Sequence, residues 1–138
     1  MDQASINIKD GTIDMIATDH APHSKEEKAQ HISKAPFGII GIQQAFSLMY
    51  TYLVLKDLVS LETILDGLTS GPAKVLRLDA SVEEGKVANL CVFDLGKQYT
   101  ISEENNKSKS ANTPFIGVKV NGLLTANIIN GHYVSTED

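Results

Sequence analysis

The spacing of apolar and polar residues predicts a strand, then a polar loop, then a long helix. Residues 13–17 form a short, almost continuously apolar run, which is typical of a strand buried in a parallel sheet. Residues 20–36 are polar and bounded by Pro22 and Pro36, so we expect a surface loop with one helical turn near residues 25–30. In residues 41–55 the apolar side chains recur every three or four positions, which predicts a helix. Its apolar face comprises Ile42, Ala45, Phe46, Met49, Tyr50, Leu53 and Val54.

Two shorter helices are expected after the long one. Ser60 precedes helical spacing at 61–65, Ser70 precedes it at 71–76, and serine is a favoured N-cap residue. Pro72 suits the first turn of the second helix, where its missing N–H group costs no hydrogen bond.

The C-terminal part has the alternating pattern of antiparallel strands. Residues 87–94 are typical of one strand, and residues 116–120 alternate apolar and polar side chains. Asn121-Gly122 and Asn130-Gly131 are typical two-residue hairpin turns, because both residue types tolerate the positive φ that such a turn requires. We therefore predict a β-meander, with the polar residues 102–113 as a loop between strands.

This order of elements places the chain in the α/β class. A strand followed by helices is normally part of a larger parallel sheet, yet the run near 13–18 is the one candidate parallel strand. A single parallel strand leaves its backbone N–H and C=O groups unpaired. A complete (β/α)₈ barrel needs roughly 250 residues, and this chain has 138. We therefore expect the partner strands to be encoded upstream.

The charge balance excludes some classes of partner. The chain carries 12 Lys and Arg against 17 Asp and Glu, a formal net charge of −5, without a basic cluster. We expect neither a nucleic acid nor a membrane as partner, whereas small metabolites fit the composition. Because the pattern shows no membrane span and no leader, and Cys91 has no second cysteine, we expect a cytoplasmic protein.

Candidate chemistry lies directly after the predicted parallel strand. The segment TDHAPH places Asp19, His20 and His23 at a strand end, where α/β barrels carry catalytic groups. The alternative is an aspartate that caps the next turn beside two solvated histidines. A zinc site requires at least three ligands, and neither His31 nor His132 lies at ligand spacing. We therefore expect Asp19 to be the last ligand of a set encoded elsewhere.

Several motifs together resemble one enzyme family. DMIATDHAPH at residues 14–23, EEK at 26–28 and APFG at 35–38 resemble the last barrel strand and the following loop of the dihydroorotases, in the amidohydrolase superfamily. The resemblance continues through Pro72-Ala73, Gly85, residues 88–94 and NTPF at 112–115. It covers nearly the whole chain but only the final third of the family's length.

The resemblance implies a fold in two regions. Residues 1–78 would be the C-terminal segment of the metal-dependent-hydrolase (β/α)₈ TIM barrel, comprising its last strand and helices. Residues 79–138 would be the C-terminal part of the small flanking β-sandwich domain.

The resemblance also implies a reaction and its site residues. Dihydroorotases are binuclear zinc (Zn²⁺) hydrolases that interconvert N-carbamoyl-L-aspartate and L-dihydroorotate in de novo pyrimidine biosynthesis. By resemblance, Asp19 binds a metal and acts as general base and acid. His23 contacts the substrate carboxylate, and the backbone of Phe37 and Gly38 holds the polar edge of the ring, where a glycine allows close approach.

Three functional hypotheses follow. The first is the C-terminal part of a dihydroorotase, inactive as an isolated chain, whose complete form is a homodimer or associates with a transcarbamoylase. The second is a non-catalytic, dihydroorotase-like interaction module. The third is another cyclic amidohydrolase, of the hydantoinase or allantoinase type. The Ala-Pro-His and Ala-Pro-Phe-Gly motifs together favour dihydroorotase over the third hypothesis.

Overall fold

A computed structural model describes residues 7–136 and combines short helices with an antiparallel sheet. The predicted regions 1–78 and 79–138 both extend outside that range, and their division into two domains stays a prediction. The helices that lie wholly within this range are α1 (Lys25–Lys28), α2 (Ala45–Met49) with its π-helical continuation Tyr50–Val54, α3 (Leu61–Leu68) and α4 (Ser70–Leu76). The strands are β1 (Leu90–Thr100), β2 (Lys119–Ile129) and β3 (His132–Ser135).

The three strands form one antiparallel sheet in the order β1, β2, β3. This confirms the predicted antiparallel strands, although β1 and β2 each begin and end later than the sequence pattern indicates. Asn130 and Gly131 form the turn between β2 and β3, with φ angles of 50° and 79°. The hairpin prediction at this position is therefore confirmed.

The other predicted hairpin turn is wrong. Asn121 and Gly122 lie inside β2, opposite a register shift between Asp94 and Gln98 of β1. Gly122 has a φ of +85°, and a Cβ atom there would lie 3.0 Å from Cε1 of Phe46. Its conformational freedom thus serves a strand irregularity and close helix packing, and the chain does not turn here.

The long helix packs on β2 through Phe46 and Tyr50 of its predicted apolar face, whereas Ile42 lies outside the helix and is 65% exposed. The helix begins at Ala45, later than predicted, and becomes π-helical from Tyr50. The ring of Phe46 lies 4.0 Å from that of Phe93, centroid to centroid, and the hydroxyl of Ser47 donates a 2.6 Å hydrogen bond to the carbonyl of Gly122. The buried apolar residues come from the helices, the sheet and the segments between them, namely Ile40, Phe46, Val59, Ile64, Ala73, Ile101, Val120 and Ala126.

The two shorter helices form where the sequence indicates. Ser60 caps α3 by accepting a 3.1 Å hydrogen bond from the Thr63 N–H, as predicted. The N-cap prediction for Ser70 is wrong, because α4 begins at Ser70 itself. The Ser70 hydroxyl donates instead to Asp66 at 2.8 Å. No helix within residues 7–136 is long and apolar enough to cross a membrane.

The predicted parallel strand at 13–17 is not formed in the described part of the chain. Its backbone donates one hydrogen bond to α3, from Ile16 N–H to the Gly67 carbonyl at 2.8 Å. Ile13 and Met15 stay 38% and 40% exposed. A strand exists only when a neighbouring strand pairs with it, and residues 7–136 supply no such neighbour.

We predict that Gly122→Ala destabilises the fold more than Gly131→Ala does. Both glycines have positive φ, so each alanine costs about 1 kcal/mol of backbone strain. Only at position 122 does the added Cβ also press on Phe46, because nothing lies within 4 Å of a Cβ at 131. Urea unfolding should show an additional loss of about 1–3 kcal/mol for Gly122→Ala. Equal losses for the two variants would contradict this account of the helix–sheet contact.

Candidate active site in the loop 19–40

Two separate segments of the loop 19–40 meet at Ala21 and Gly38. The Ala21 N–H donates a 2.9 Å hydrogen bond to the carbonyl of Ile39, beside a parallel bridge between His20 and Ile39. Gly38 has a φ of +101°, and a Cβ atom there would lie only 2.5 Å from the Cβ of Ala21. Glycine is therefore required at position 38 for both its conformation and its close approach to Ala21.

Side chains from residues 23 and 28 hold three consecutive carbonyl groups of the loop. The Lys28 ammonium donates to the carbonyls of Pro36 at 3.0 Å and Gly38 at 3.1 Å. The Nε2 atom of His23 lies 3.0 Å from the carbonyl of Phe37, and because a carbonyl only accepts, Nε2 is the donor. The predicted substrate residues His23, Phe37 and Gly38 are thus brought together in one cluster.

The short helix α1 positions this cluster. Ser24 and Glu27 form a capping box, in which Ser24 accepts from the Glu27 N–H and Glu27 accepts from the Ser24 N–H. The Glu27 carboxylate also lies 3.7 Å from Nδ1 of His23. Hydrogen bonds from its own backbone and from Ser24 lower the pKa of the neighbouring Glu26. The predicted helical turn near 25–30 is therefore confirmed, and it orients His23 and Lys28.

Sequence reasoning missed two members of the cluster, Lys28 and Asn112. Asn112 comes from the loop between β1 and β2 and hydrogen-bonds to Ala21, His23 and Gly38. Both residues lie in the motifs EEK and NTPF that carry the family resemblance, so the signal was present. Their partners are backbone groups, which sequence spacing does not identify.

Asp19 lies at the start of the loop with a free carboxylate. It has a φ of 45° and is exposed. It makes no hydrogen bond or ion pair with the described residues, and no contact joins it to His23, Phe37 or Gly38 there. The neighbouring His20 is engaged, since its Nδ1 accepts a 3.0 Å hydrogen bond from the Gly41 N–H.

The described residues do not supply a complete metal site here. Within residues 7–136 no three His, Cys, Asp or Glu side chains are grouped closely enough to hold a metal ion. His31 is occupied by Ser33, whose hydroxyl lies 2.8 Å from its Nδ1, and His132 lies in β3. The free carboxylate of Asp19 has the oxygen donors and the exposure of a zinc ligand, but one ligand does not make a site.

The loop is an open surface in this structure. The Phe37 side chain is 92% exposed. A cavity of about 230 Å³ adjoins His20, Ile40 and Gln44, and one of about 420 Å³ lies between residues 8–16 and the helices α3 and α4. Neither cavity is lined by Asp19, His23 or Phe37.

Comparison with known proteins identifies the family. The sequence pattern of the Amidohydrolase family matches residues 2–134. The chain belongs to this family. A protein named dihydroorotase from Bacillus thuringiensis (strain Al Hakam) is 48% identical over 125 residues, which are 90% of this chain. The chain spans 29% of the length of that relative.

Solved amidohydrolase-family structures share the fold of this chain. A dihydropyrimidinase from Brevibacillus agri NCHU1002 matches 96% of the chain with a TM-score of 0.87 and 24% identity. An L-hydantoinase (dihydropyrimidinase) from Arthrobacter aurescens matches 96% with a TM-score of 0.84 and 25% identity. The chain covers 30% and 31% of these two structures. The mixed arrangement of helices and sheet is therefore also present in these two structures.

We predict that Lys28→Met loosens the loop, whereas Lys25→Met does not. Lys28 donates to two backbone carbonyls, while Lys25, on the same helix, forms an exposed ion pair with Glu103 at 3.1 Å. Hydrogen bonds from a charged donor contribute about 1.5–3 kcal/mol, and exposed ion pairs about 0–1 kcal/mol. Hydrogen exchange at the Ala21 and Ile40 amides should therefore accelerate at least about tenfold in Lys28→Met only. Unchanged exchange would show that the ammonium does not hold the loop.

Proposed function

We propose that this chain is the C-terminal part of a dihydroorotase, which interconverts N-carbamoyl-L-aspartate and L-dihydroorotate in pyrimidine biosynthesis. Residues 1–78 would belong to its TIM barrel and residues 79–138 to its β-sandwich domain. The observation that carries the proposal is the clustering of His23, Phe37 and Gly38 in one loop. The 48% identity to a protein named dihydroorotase supports this assignment.

Asp19 is the proposed zinc ligand and proton carrier of the reaction. Two zinc ions would supply Lewis-acid polarisation and make a water more acidic, with a pKa of about 7. The Asp19 carboxylate would take a proton from the attacking water and return it to the ring nitrogen as the amide C–N bond breaks. A carboxylate without a competing partner, as Asp19 is among the described residues, suits both roles.

The loop backbone would bind the substrate through N–H groups. The carbonyls of Phe37 and Gly38 are occupied by His23, Lys28 and Asn112. The N–H groups of Phe37 and Gly38 donate to no group among the described residues, so they are available to the carbonyl oxygens of the ring. A substrate carboxylate at His23 would compete with the Phe37 carbonyl for the hydrogen bond from Nε2.

A hydantoinase-type reaction is the second candidate. Its support is the likeness of the fold to hydantoinases and dihydropyrimidinases. Those structures are half as identical to this chain as the dihydroorotase is, so we place dihydroorotase first. A non-catalytic interaction module is the remaining alternative. The proposal further includes a cytoplasmic location and either a homodimer or association with a transcarbamoylase.

A chimera tests the function and the role of Asp19 together. In it, this chain replaces the matching 29% of the Bacillus thuringiensis dihydroorotase. We predict hydrolysis of L-dihydroorotate, little hydrolysis of hydantoin, and a loss of about 10²–10⁴-fold in kcat for Asp19→Asn, the range for a lost general acid–base group. Asp57→Asn is the control, because Asp57 is also exposed and also has positive φ. A folded chimera that hydrolyses only hydantoin would favour the second candidate.

The isolated chain should bind zinc weakly and show no turnover. Tight zinc binding requires three or four ligands, and no group of three candidate ligands exists among the described residues. Isothermal titration with zinc chloride measures the affinity, and assays in both directions measure turnover. Tight binding at a 1:1 ratio would show that the chain contains a complete site and would overturn this part of the proposal.

A further inference from the structure

One asparagine connects both segments of the candidate substrate loop. The Nδ2 atom of Asn112 donates to the carbonyl of Ala21 at 2.9 Å and to that of Gly38 at 3.3 Å. Its Oδ1 accepts a 3.2 Å hydrogen bond from the N–H of His23. The backbone carbonyl of Asn112 also accepts from the Ile40 N–H at 3.1 Å. The four contacts place this residue between segments 21–23 and 38–40.

The partners of Asn112 match the two ends of its side-chain amide. The amide offers one oxygen acceptor and two N–H donors, and its partners are one backbone N–H and two backbone carbonyls. An aspartate would keep the acceptor for His23 but place an oxygen against the carbonyls of Ala21 and Gly38. An alanine would lose all three hydrogen bonds. Comparing the two substitutions therefore separates the contribution of the amide oxygen, which accepts from His23, from that of the N–H donors.

Few other contacts join these segments in the described part of the chain. The direct ones are the hydrogen bond from Ala21 to Ile39, the close approach of Gly38 to Ala21, and the contact of the His23 ring with the carbonyl of Phe37 next to them. Asn112 is partly buried. If its side chain were removed, the backbone groups that it binds would therefore not all be able to hydrogen-bond to water instead. The Asn112 side chain thus makes three hydrogen bonds to the backbone of the loop 19–40.

The loop that carries Asn112 is fixed to the sheet. Ile101 is fully buried after β1, its N–H donates to the carbonyl of Val118 at 2.9 Å and its carbonyl accepts from Gly117 at 2.8 Å. The two ends of the loop 102–116 are therefore hydrogen-bonded to each other next to the sheet. The position of Asn112 relative to the loop 19–40 follows from the sheet.

We propose that Asn112 is a positioning residue for substrate binding. It sets His23 and the Phe37-Gly38 backbone at a fixed separation, so that their contacts with one ligand are made together. The C-terminal region thereby contributes to the specificity of the site without contacting the reacting atoms. This inference rests on the proposed function of the loop as a substrate site.

Hydrogen exchange on the chain itself tests the geometry. In Asn112→Ala the His23 amide should exchange about tenfold faster, the effect of one lost hydrogen bond, while in Asn112→Asp it should stay protected. The Ile101 amide, buried directly after β1, should keep its wild-type rate in both variants. Asn106→Ala is the matched control, because the Asn106 side chain donates to the carbonyls of Ser108 and Ser110 and accepts from the Ser108 N–H, all within the same loop.

Kinetics in the chimera test the positioning role. Asn112→Ala should raise KM for L-dihydroorotate about tenfold with a smaller change in kcat, and Asn106→Ala should leave both within about twofold. Equal acceleration of exchange at His23 and Ile101 would reveal a general structural role and overturn the proposal. Unchanged KM beside a locally exposed His23 amide would also overturn it. An inactive wild-type chimera would count against the proposed function alone, because the exchange pattern is measured without turnover.

Discussion

The contact of α2 with β2 at Gly122 is the constraint on which the rest of the structure depends. Ser47 is buried there with two partners, donating to the Gly122 carbonyl and accepting from the Tyr99 hydroxyl at 3.1 Å. One turn further, Thr51 accepts from the Asn121 N–H at 2.8 Å. Polar groups in a closely packed contact permit only one register, because any shift would leave them buried and unpaired. Helices and sheet are thereby held as one unit.

The candidate site is assembled from parts that this contact brings together. Residues 36–40 lead directly into α2, and the loop with Asn112 leads directly into β2. Fixing α2 on β2 therefore brings Asn112 to Ala21, a residue 91 positions away in the chain. The site is composed of surface loops, but their relative position depends on a buried helix–sheet contact.

Features set by neighbouring residues could be predicted from the sequence. The helical turn at α1, the cap at Ser60 and the turn at Asn130-Gly131 each depend on a few adjacent residues, and each is confirmed. Features set by distant partners could not. The segment 13–17 has the pattern of a strand but lacks a neighbour to pair with, and Gly122 has the pattern of a turn but adjoins Phe46.

In the candidate site, too, some features could be predicted from the sequence and others could not. The family motifs identified His23, Phe37 and Gly38, and the structure places these residues in contact. Motifs do not show that the His23 ring is occupied by a backbone carbonyl, nor that Lys28 holds Pro36. Such contacts involve backbone groups, which every residue carries, so residue identity contains little information about them.

The end of α4 has a consequence for the robustness of the chain. Arg77 adopts a φ of 57°, and the next residue, Leu78, donates back to the carbonyl of Ala73 at 2.9 Å. This is a helix stop that favours glycine, and a side chain in it costs about 1 kcal/mol. Arg77→Gly would therefore stabilise the chain by about 1 kcal/mol without changing any residue of the loop 19–40. This gain in stability could offset the loss caused by destabilising substitutions in the loop 19–40.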